Sequence, residues 1–227
     1  MLDRIKGGIV VSCQALEDEP LHGSNIMGKV ALAAQQGGAY GIRSNSKEDI
    51  IEIKRNTNLP IIGIVKRDYT DSDIYITPTI KEIEELISSK CEMIALDATD
   101  RKRPNNESLK SFIQKIKAKD SNVLLMADIS TVSEAIEAEK LGFDCVSTTL
   151  MGYTDISKDY NVTTNDFYYL TEILKSVNIP VIAEGHISTP DLAKKSLEKG
   201  AYSVVVGSAI TRPKLITETF VSAIKNK

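Results

Sequence analysis

Residues Val177–Pro213 read VNIPVIAEGHISTPDLAKKSLEKGAYSVVVGSAITRP, two short apolar strands that each stop at a glycine just ahead of a helix. The first, Pro180 to Ala183, leaves through Glu184-Gly185, and Ser188-Thr189-Pro190 offers a capping hydroxyl and an early proline to the next helix. The second, Ser203 to Val206, leaves through Gly207-Ser208, and Ala209 to Pro213 leads into a last helix. Neighbouring glycines let two backbones approach one anion, and the unpaired amides of helix starts supply donors and partial positive charge. Arg212 is placed to add a full charge. A phosphate site after the last two of eight strands recurs in (β/α)8 barrels, so the stretch predicts that fold and a phosphorylated ligand together.

Upstream, apolar runs of four to seven residues alternate with segments of helical period, the pattern of a parallel sheet buried on both faces. The expected strands are Gly8 to Ser12, Ala39 to Ile42, Pro60 to Val65, Met93 to Leu96, Val123 to Ala127 and Cys145 to Ser147, which with the two above make eight units. Asn58-Leu-Pro-Ile-Ile62 reappears as Asn178-Ile-Pro-Val-Ile182, four strands later, as a half-barrel repeat requires. Gly38, Gly142 and Gly200 each stand where a helix must end before the next strand. No Pro-, Ser- or Gly-rich linker interrupts the series, and residues 1–227 read as one (β/α)8 barrel domain.

Composition narrows the function classes. Hydrophobic residues make up 42% and charged residues 26%, with a formal net charge of −3, which points to neither disorder nor a nucleic-acid surface. No apolar run approaches the roughly 18 residues that span a bilayer, and no apolar segment follows Met1-Leu-Asp-Arg4, so no membrane association and a cytoplasmic location are expected. Cys13, Cys91 and Cys145 lack CxxC spacing and read as reduced, buried thiols. Neither Walker A nor GxGxxG occurs, so ATP and NAD are not indicated.

In a barrel, residues that end strands gather at the C-terminal mouth: Gln14, Arg43, Lys66, Asp97, Asp128, Thr148, Glu184 and Gly207. Lys66 follows five apolar residues, so its amine is expected low in a partly dry pocket where desolvation lowers a lysine pKa and opens base or Schiff-base chemistry. The alternative is an ordinary charge in Lys66-Arg67-Asp68. Glu184 either acts on the ligand or merely precedes the turn at Gly185. Asp97 and Asp128 lack the His partners of a metal site, since His22 and His186 are the only histidines and neither HxH nor HExxH spacing occurs, and they read as structural hydrogen-bonding groups of the mouth or as contacts to substrate hydroxyls. Glu17-Asp18-Glu19 reads as a solvated loop, and Cys13 as packing.

Ile9 to His22 (IVVSCQALEDEPLH), Gly41-Ile-Arg43, Pro60 to Asp68 (PIIGIVKRD), Ala95 to Thr99 (ALDAT), Met126 to Ile129 (MADI), Val146 to Leu150 (VSTTL), Gly152-Tyr-Thr154 and Ala209 to Pro213 (AITRP) together resemble the bacterial N-acetylmannosamine-6-phosphate 2-epimerases over nearly the whole chain. The resemblance implies a barrel that converts N-acetylmannosamine 6-phosphate to N-acetylglucosamine 6-phosphate in sialic-acid catabolism, without redox cofactor or metal, as a homodimer. It implies Lys66 as catalytic base with Glu184 as partner. Gln14, Arg43 and Asp128 would then contact the sugar, and Gly185, Gly207, Ser208 and Arg212 the phosphate. His186 and Met151 stand at positions that differ among relatives. Two other readings stay open: a Schiff-base lyase or aldolase using Lys66, and a phosphosugar-binding protein without turnover.

Overall fold

The computed structural model describes residues 1–225. In chain order its elements are α1 (Leu2–Ile5), β1 (Ile9–Cys13), α2 (Ser24–Gln36), β2 (Gly41–Asn45), α3 (Lys47–Asn56), β3 (Ile61–Ile64), α4 (Ile80–Ser89), β4 (Met93–Asp97), α5 (Leu109–Lys119), β5 (Leu125–Asp128), α6 (Val132–Lys140), β6 (Cys145–Ser147), α7 (Thr164–Ser176), β7 (Val181–Ala183), α8 (Pro190–Glu198), β8 (Ser203–Val206), α9 (Ser208–Thr211) and α10 (Pro213–Lys225). Every strand lies parallel to its neighbours in chain order, and β8 pairs back onto β1 through Ile9↔Val204 to close the barrel. This is the (β/α)8 fold expected from the sequence.

Closure explains why the strands are apolar on both faces. Val10, Ile62, Ile64, Met93, Ala95, Met126, Cys145, Ile182 and Val205 meet inside the barrel, while their alternate neighbours, such as Val11, Ile61, Leu96, Val146 and Val206, pack outward against the helices. The period of two continues past the last interior apolar residue of each strand. It therefore turns Ser12, Lys66, Asp97, Asp128, Ser147, Glu184 and Gly207 to the mouth, with Arg43 level with Ser12 on the neighbouring strand. At the opposite end Ile5 of α1 is fully buried in the interior cluster and plugs the barrel floor.

The repeat seen in the sequence has a structural counterpart on opposite sides of the ring. Ile42 donates its N–H to the Pro60 carbonyl and Val146 donates to the Pro180 carbonyl, each at 3.0 Å. The Asn58 amide donates to Gln35, and the Asn178 amide to Glu139. Gly38, Gly142 and Gly200 take φ of +92°, +84° and +107°, the left-handed turn the helix exits required. Thr189 caps α8 by accepting from Leu192 N–H, with Pro190 at its first turn.

Several strand limits differ from the sequence reading. Strand β2 continues two residues beyond Arg43 and starts at Gly41, where a side chain would stand 2.9 Å from Ile5. The β3 run stops at Ile64 because the chain beyond it pairs with its own loop through an antiparallel bridge between Lys66 and Ile76. Strand β5 starts at Leu125, the Val123 carbonyl being occupied by the Lys117 amine. Cys13 and Cys145 are buried, and burial, aided by Asp49, pushes the Cys13 thiol up to about 12, so it packs as a neutral group. Cys91 is only partly buried, contrary to expectation.

Candidate active site

A cavity of about 350 Å³ opens at the C-terminal mouth. Lys66, Glu184, Arg43 and Gln14 line one part of it, and Gly185, Gly207, Ser208 and Arg212 another. Eight of the nine residues singled out in the sequence thus share one cavity. Asp128 does not line it: fully buried, it lies behind Arg43, whose Nη1 and Nη2 donate to its two carboxylate oxygens at 3.0 and 2.5 Å. The family resemblance implied that Asp128 contacts the sugar, and the residue pattern alone allowed either that or structural hydrogen bonds at the mouth; the structure makes it the anchor of Arg43.

Arg43 is the hub of this cluster. Its Nη1 also donates to Glu184 Oε2 at 2.6 Å, and the guanidinium is only 1% exposed. Burial opposes its charge, but Asp128 and Glu184 more than offset that cost and hold its pKa above the ordinary value. Thr149 tightens the arrangement, donating to Asp128 Oδ1 at 2.7 Å and accepting from Arg43 Nη1 at 3.1 Å. Thr148, the mouth residue expected on β6, instead holds the Glu184 backbone, donating to its carbonyl and accepting from its N–H.

Burial raises the Glu184 pKa, with Arg43 pulling it back and Asp128 adding to the rise. Its Oε2 takes all the hydrogen bonds of this carboxylate among the described residues, from Arg43 and Ser147, with the Thr149 hydroxyl, whose one proton is shared with Asp128, 3.1 Å away. Oε1 is left for a ligand. Two buried polar atoms nearby also lack partners among the described residues, Gln14 Oε1 and Arg43 Nε.

The Lys66 amine makes no ion pair or hydrogen bond among the described residues, whereas its backbone N–H is fixed by Asn45 Oδ1 at 2.8 Å. Desolvation, with Arg43 and Arg212 adding repulsion, lowers its pKa to about 8, against weaker support from Glu184 and Glu19. The amine is therefore partly neutral near physiological pH, as a base or Schiff-base lysine must be.

At the other end of the cavity Gly185 has φ +91° and His186 follows with φ +54°, so the chain turns sharply out of β7 beside Thr148. The amides of Gly185 and Ser208 have no hydrogen-bond partner among the described residues. Arg212 stands next to them, its Nε 3.1 Å from Glu19 Oε1. The acidic loop is thus not wholly solvated: Glu17 and Asp18 are exposed, but Glu19 turns inward.

Sequence reasoning missed further wall residues. Tyr153 stacks on His186 with ring centroids 4.7 Å apart, and Tyr75 enters from the loop after β3. Tyr153 lies within a motif already noted; for Tyr75 no local pattern existed. Asp97, which the sequence also placed at the mouth, is bound by Thr99 and Arg101 and has no part in the cavity.

An interior lysine beside a buried carboxylate cluster, facing a glycine-rich cationic pocket, defines a (β/α)8 barrel suited to proton transfer on an anionic substrate. Comparison with known proteins makes this specific. Residues 27–226 match a protein family described as "Putative N-acetylmannosamine-6-phosphate epimerase", and the chain belongs to that family. It is 61% identical over 225 residues to a Clostridium perfringens (strain 13 / Type A) protein named "Putative N-acetylmannosamine-6-phosphate 2-epimerase", covering 99% of this chain and 100% of that one. A protein of the same name from Oceanobacillus iheyensis is 58% identical over 221 residues, 97% of this chain and 100% of its own. Among solved structures, the N-acetylmannosamine-6-phosphate 2-epimerase from Clostridium perfringens superposes with a TM-score of 0.91 at 60% identity, covering 98% of this chain and 96% of that one. A thiamine phosphate pyrophosphorylase from Pyrococcus furiosus shares the fold alone, with a TM-score of 0.62 at 20% identity over 98% of this chain and 96% of its own.

Proposed function

We propose that the chain interconverts N-acetylmannosamine 6-phosphate and N-acetylglucosamine 6-phosphate by moving the proton on carbon 2, as a cytoplasmic enzyme of amino-sugar catabolism. The observation that carries this reading is the Lys66 amine, without a partner among the described residues and with its pKa lowered to about 8, in the same cavity as the Arg212 pocket. In the open-chain sugar, carbon 2 lies beside the C1 aldehyde. The neutral amine takes the carbon-2 proton while the C–H electron pair moves toward C1 and the carbonyl oxygen becomes an enolate oxygen. Return of a proton to the opposite face inverts the centre. Glu184, with its raised pKa and free Oε1, is the partner group that carries protons beside the substrate. Gln14 and Arg43 line the part of the cavity the sugar occupies, and Asp128 serves through Arg43.

The test is incubation with N-acetylmannosamine 6-phosphate while the sugar NMR spectrum is followed. Signals of N-acetylglucosamine 6-phosphate should grow in; a spectrum that stays unchanged with folded protein overturns the proposal. A neutral lysine also permits a Schiff base, and borohydride treatment in the presence of substrate separates the two. Covalent mass gain on Lys66 favours a lyase or aldolase, and its absence alongside turnover favours epimerisation.

The pH dependence has a definite sign. The folded Lys66 pKa of about 8 lies below the ordinary value of 10.5, and the amine acts when neutral, so kcat/KM is expected to rise with pH and level off above about 8. Stability follows the same direction. The cost of burying the charged amine is full below pH 8 and is relieved as pH rises from there through 10.5, where the unfolded chain binds more protons. A flat kcat/KM profile from pH 6 to 9 would count against Lys66 as base.

The homodimer suggested by the family resemblance gains support from the last helix. No residue of α10 is buried, and Phe220 and Ile224 are each 70% exposed. Between α2 and α8 lies an apolar groove of about 770 Å³ lined by Val30, Ala34, Tyr40, Ala193 and Leu197. The helix that follows the eighth strand of a barrel belongs between the helices that follow the first and the seventh. We infer that α10 of a second copy occupies this groove, and reciprocally. Light scattering should give a dimer, and Phe220→Asp should raise its dissociation constant about tenfold or more, as loss of one buried aromatic side chain requires. A parent protein that is monomeric at micromolar concentration refutes this arrangement.

A further inference from the structure

We propose that Glu19 is a positioning residue that holds Arg212 in place for the phosphate, a role that rests on the reading of the Arg212 pocket given above. Both carboxylate oxygens of Glu19 are engaged. Oε2 accepts from the Leu16 N–H at 3.0 Å, which fixes the side chain on its own loop, and Oε1 stands 3.1 Å from Arg212 Nε. The loop is itself tied by turns, Glu19 N–H donating to the Leu16 carbonyl and His22 N–H to the Glu19 carbonyl, each at 2.9 Å.

Arg212 needs such a hold. It sits at the joint between α9 and α10 with φ −120° and ψ +79°, outside helical geometry, followed at once by Pro213. Its side chain is 28% exposed, and neither Nη group donates a hydrogen bond among the described residues. The chain ahead of it is fastened to the same side of the barrel, Thr211 Oγ1 donating to the Ser12 carbonyl at 2.8 Å. The end of β1 and its loop thus grip the joint at two points, one on the backbone of β1 and one on the arginine's own guanidinium. Holding the guanidinium by its Nε edge leaves the Nη groups for the anion, and removes in advance the rotamer freedom that binding would otherwise have to quench.

Glu19 is also an anion near another anion's site, and the two effects have opposite signs. Loss of positioning weakens phosphate binding; loss of repulsion strengthens it. The positioning effect is expected to prevail, because Arg212 lies between the carboxylate and the phosphate site while no other group among the described residues pairs with its side chain.

Glu19→Ala is therefore expected to raise KM roughly two- to tenfold, with a smaller effect on kcat through the lost support of the Lys66 charge, and Glu19→Gln, which keeps the side chain's length and its acceptor for the Leu16 N–H but not its charge, to recover part of the loss. In an Arg212→Ala background, where no guanidinium remains to be held, Glu19→Ala should cause no further rise. Titration with inorganic phosphate, followed by calorimetry on the same five proteins, should show the same pattern without turnover, so a failure of the epimerase reading leaves this arm intact. An unchanged or lowered KM in Glu19→Ala overturns the proposal, as does an equal rise in both backgrounds, which would mark a merely structural loop. If Arg212→Ala alone changes neither KM nor phosphate affinity, the phosphate pocket is misassigned and the proposal falls with it.

Discussion

In deuterated water, Lys66→Met is expected neither to epimerise the sugar nor to place deuterium at carbon 2, while the parent protein does both. The substitution keeps the long apolar stem in the cavity wall but removes the amine. Folding should survive, since the Lys66 backbone N–H is held by Asn45 and its amine has no partner among the described residues to lose. Stability should if anything rise, because a desolvated cation that faces Arg43 and Arg212 disappears. A general base contributes about 10²- to 10⁴-fold in rate, which sets the least expected defect; a sole base gives more. Isotope exchange sharpens the test beyond turnover. A variant that still washes deuterium into carbon 2 at the parent rate would assign the base elsewhere and leave Lys66 as one charge of the cavity wall.

How much of this was legible in the sequence depends on whether a feature is local. The strands were legible because a parallel barrel buries both faces, so Pro60 to Val65 could be read without knowing its partners. The inward direction of Lys66 and Glu184 followed from the same rule, since each stands two residues beyond an interior isoleucine, Ile64 and Ile182. The glycine exits were legible because Gly38, Gly142 and Gly200 adopt a backbone conformation that other residues resist. Depth was not legible. Asp128 and Glu184 both end apolar strands, yet one is sealed behind Arg43 and the other reaches the cavity, a difference set by where the guanidinium falls. Nor were contacts made by loops. The pairing of Glu19 with Arg212 joins the two ends of the chain, and Tyr75 reaches the mouth only because its loop turns back beside Lys66. Neither contact leaves a periodic trace.

Replacing Arg43 by methionine is expected to cost more stability than any other change in the cavity, about 3 to 5 kcal/mol near neutral pH. The size follows from what remains. Arg43 is 1% exposed and Asp128 fully buried, and with the guanidinium gone the Asp128 and Glu184 carboxylates face one another without a cation between them. Thr149 then has two anions within reach and one proton to give. A lysine at position 43 would restore the charge but not the planar fork that meets Asp128 through two parallel bonds, so Arg43→Lys should recover only part of the loss. The deficit must also depend on pH. Removing Arg43 removes the main influence that pulls the Glu184 pKa down, leaving burial and Asp128 to raise it further. A carboxyl whose folded pKa lies above its unfolded value binds more protons in the folded state, so stability falls as pH rises through that pKa and returns on acidification. Urea unfolding at pH 7.5 and 5.5 should therefore show the Arg43→Met deficit shrinking at the lower pH, with Glu184→Gln in the same protein relieving much of it at the higher. A loss below about 1 kcal/mol that ignores pH would mean the two carboxylates do not depend on Arg43, and the cluster would have to be held by Thr149 and Ser147 instead.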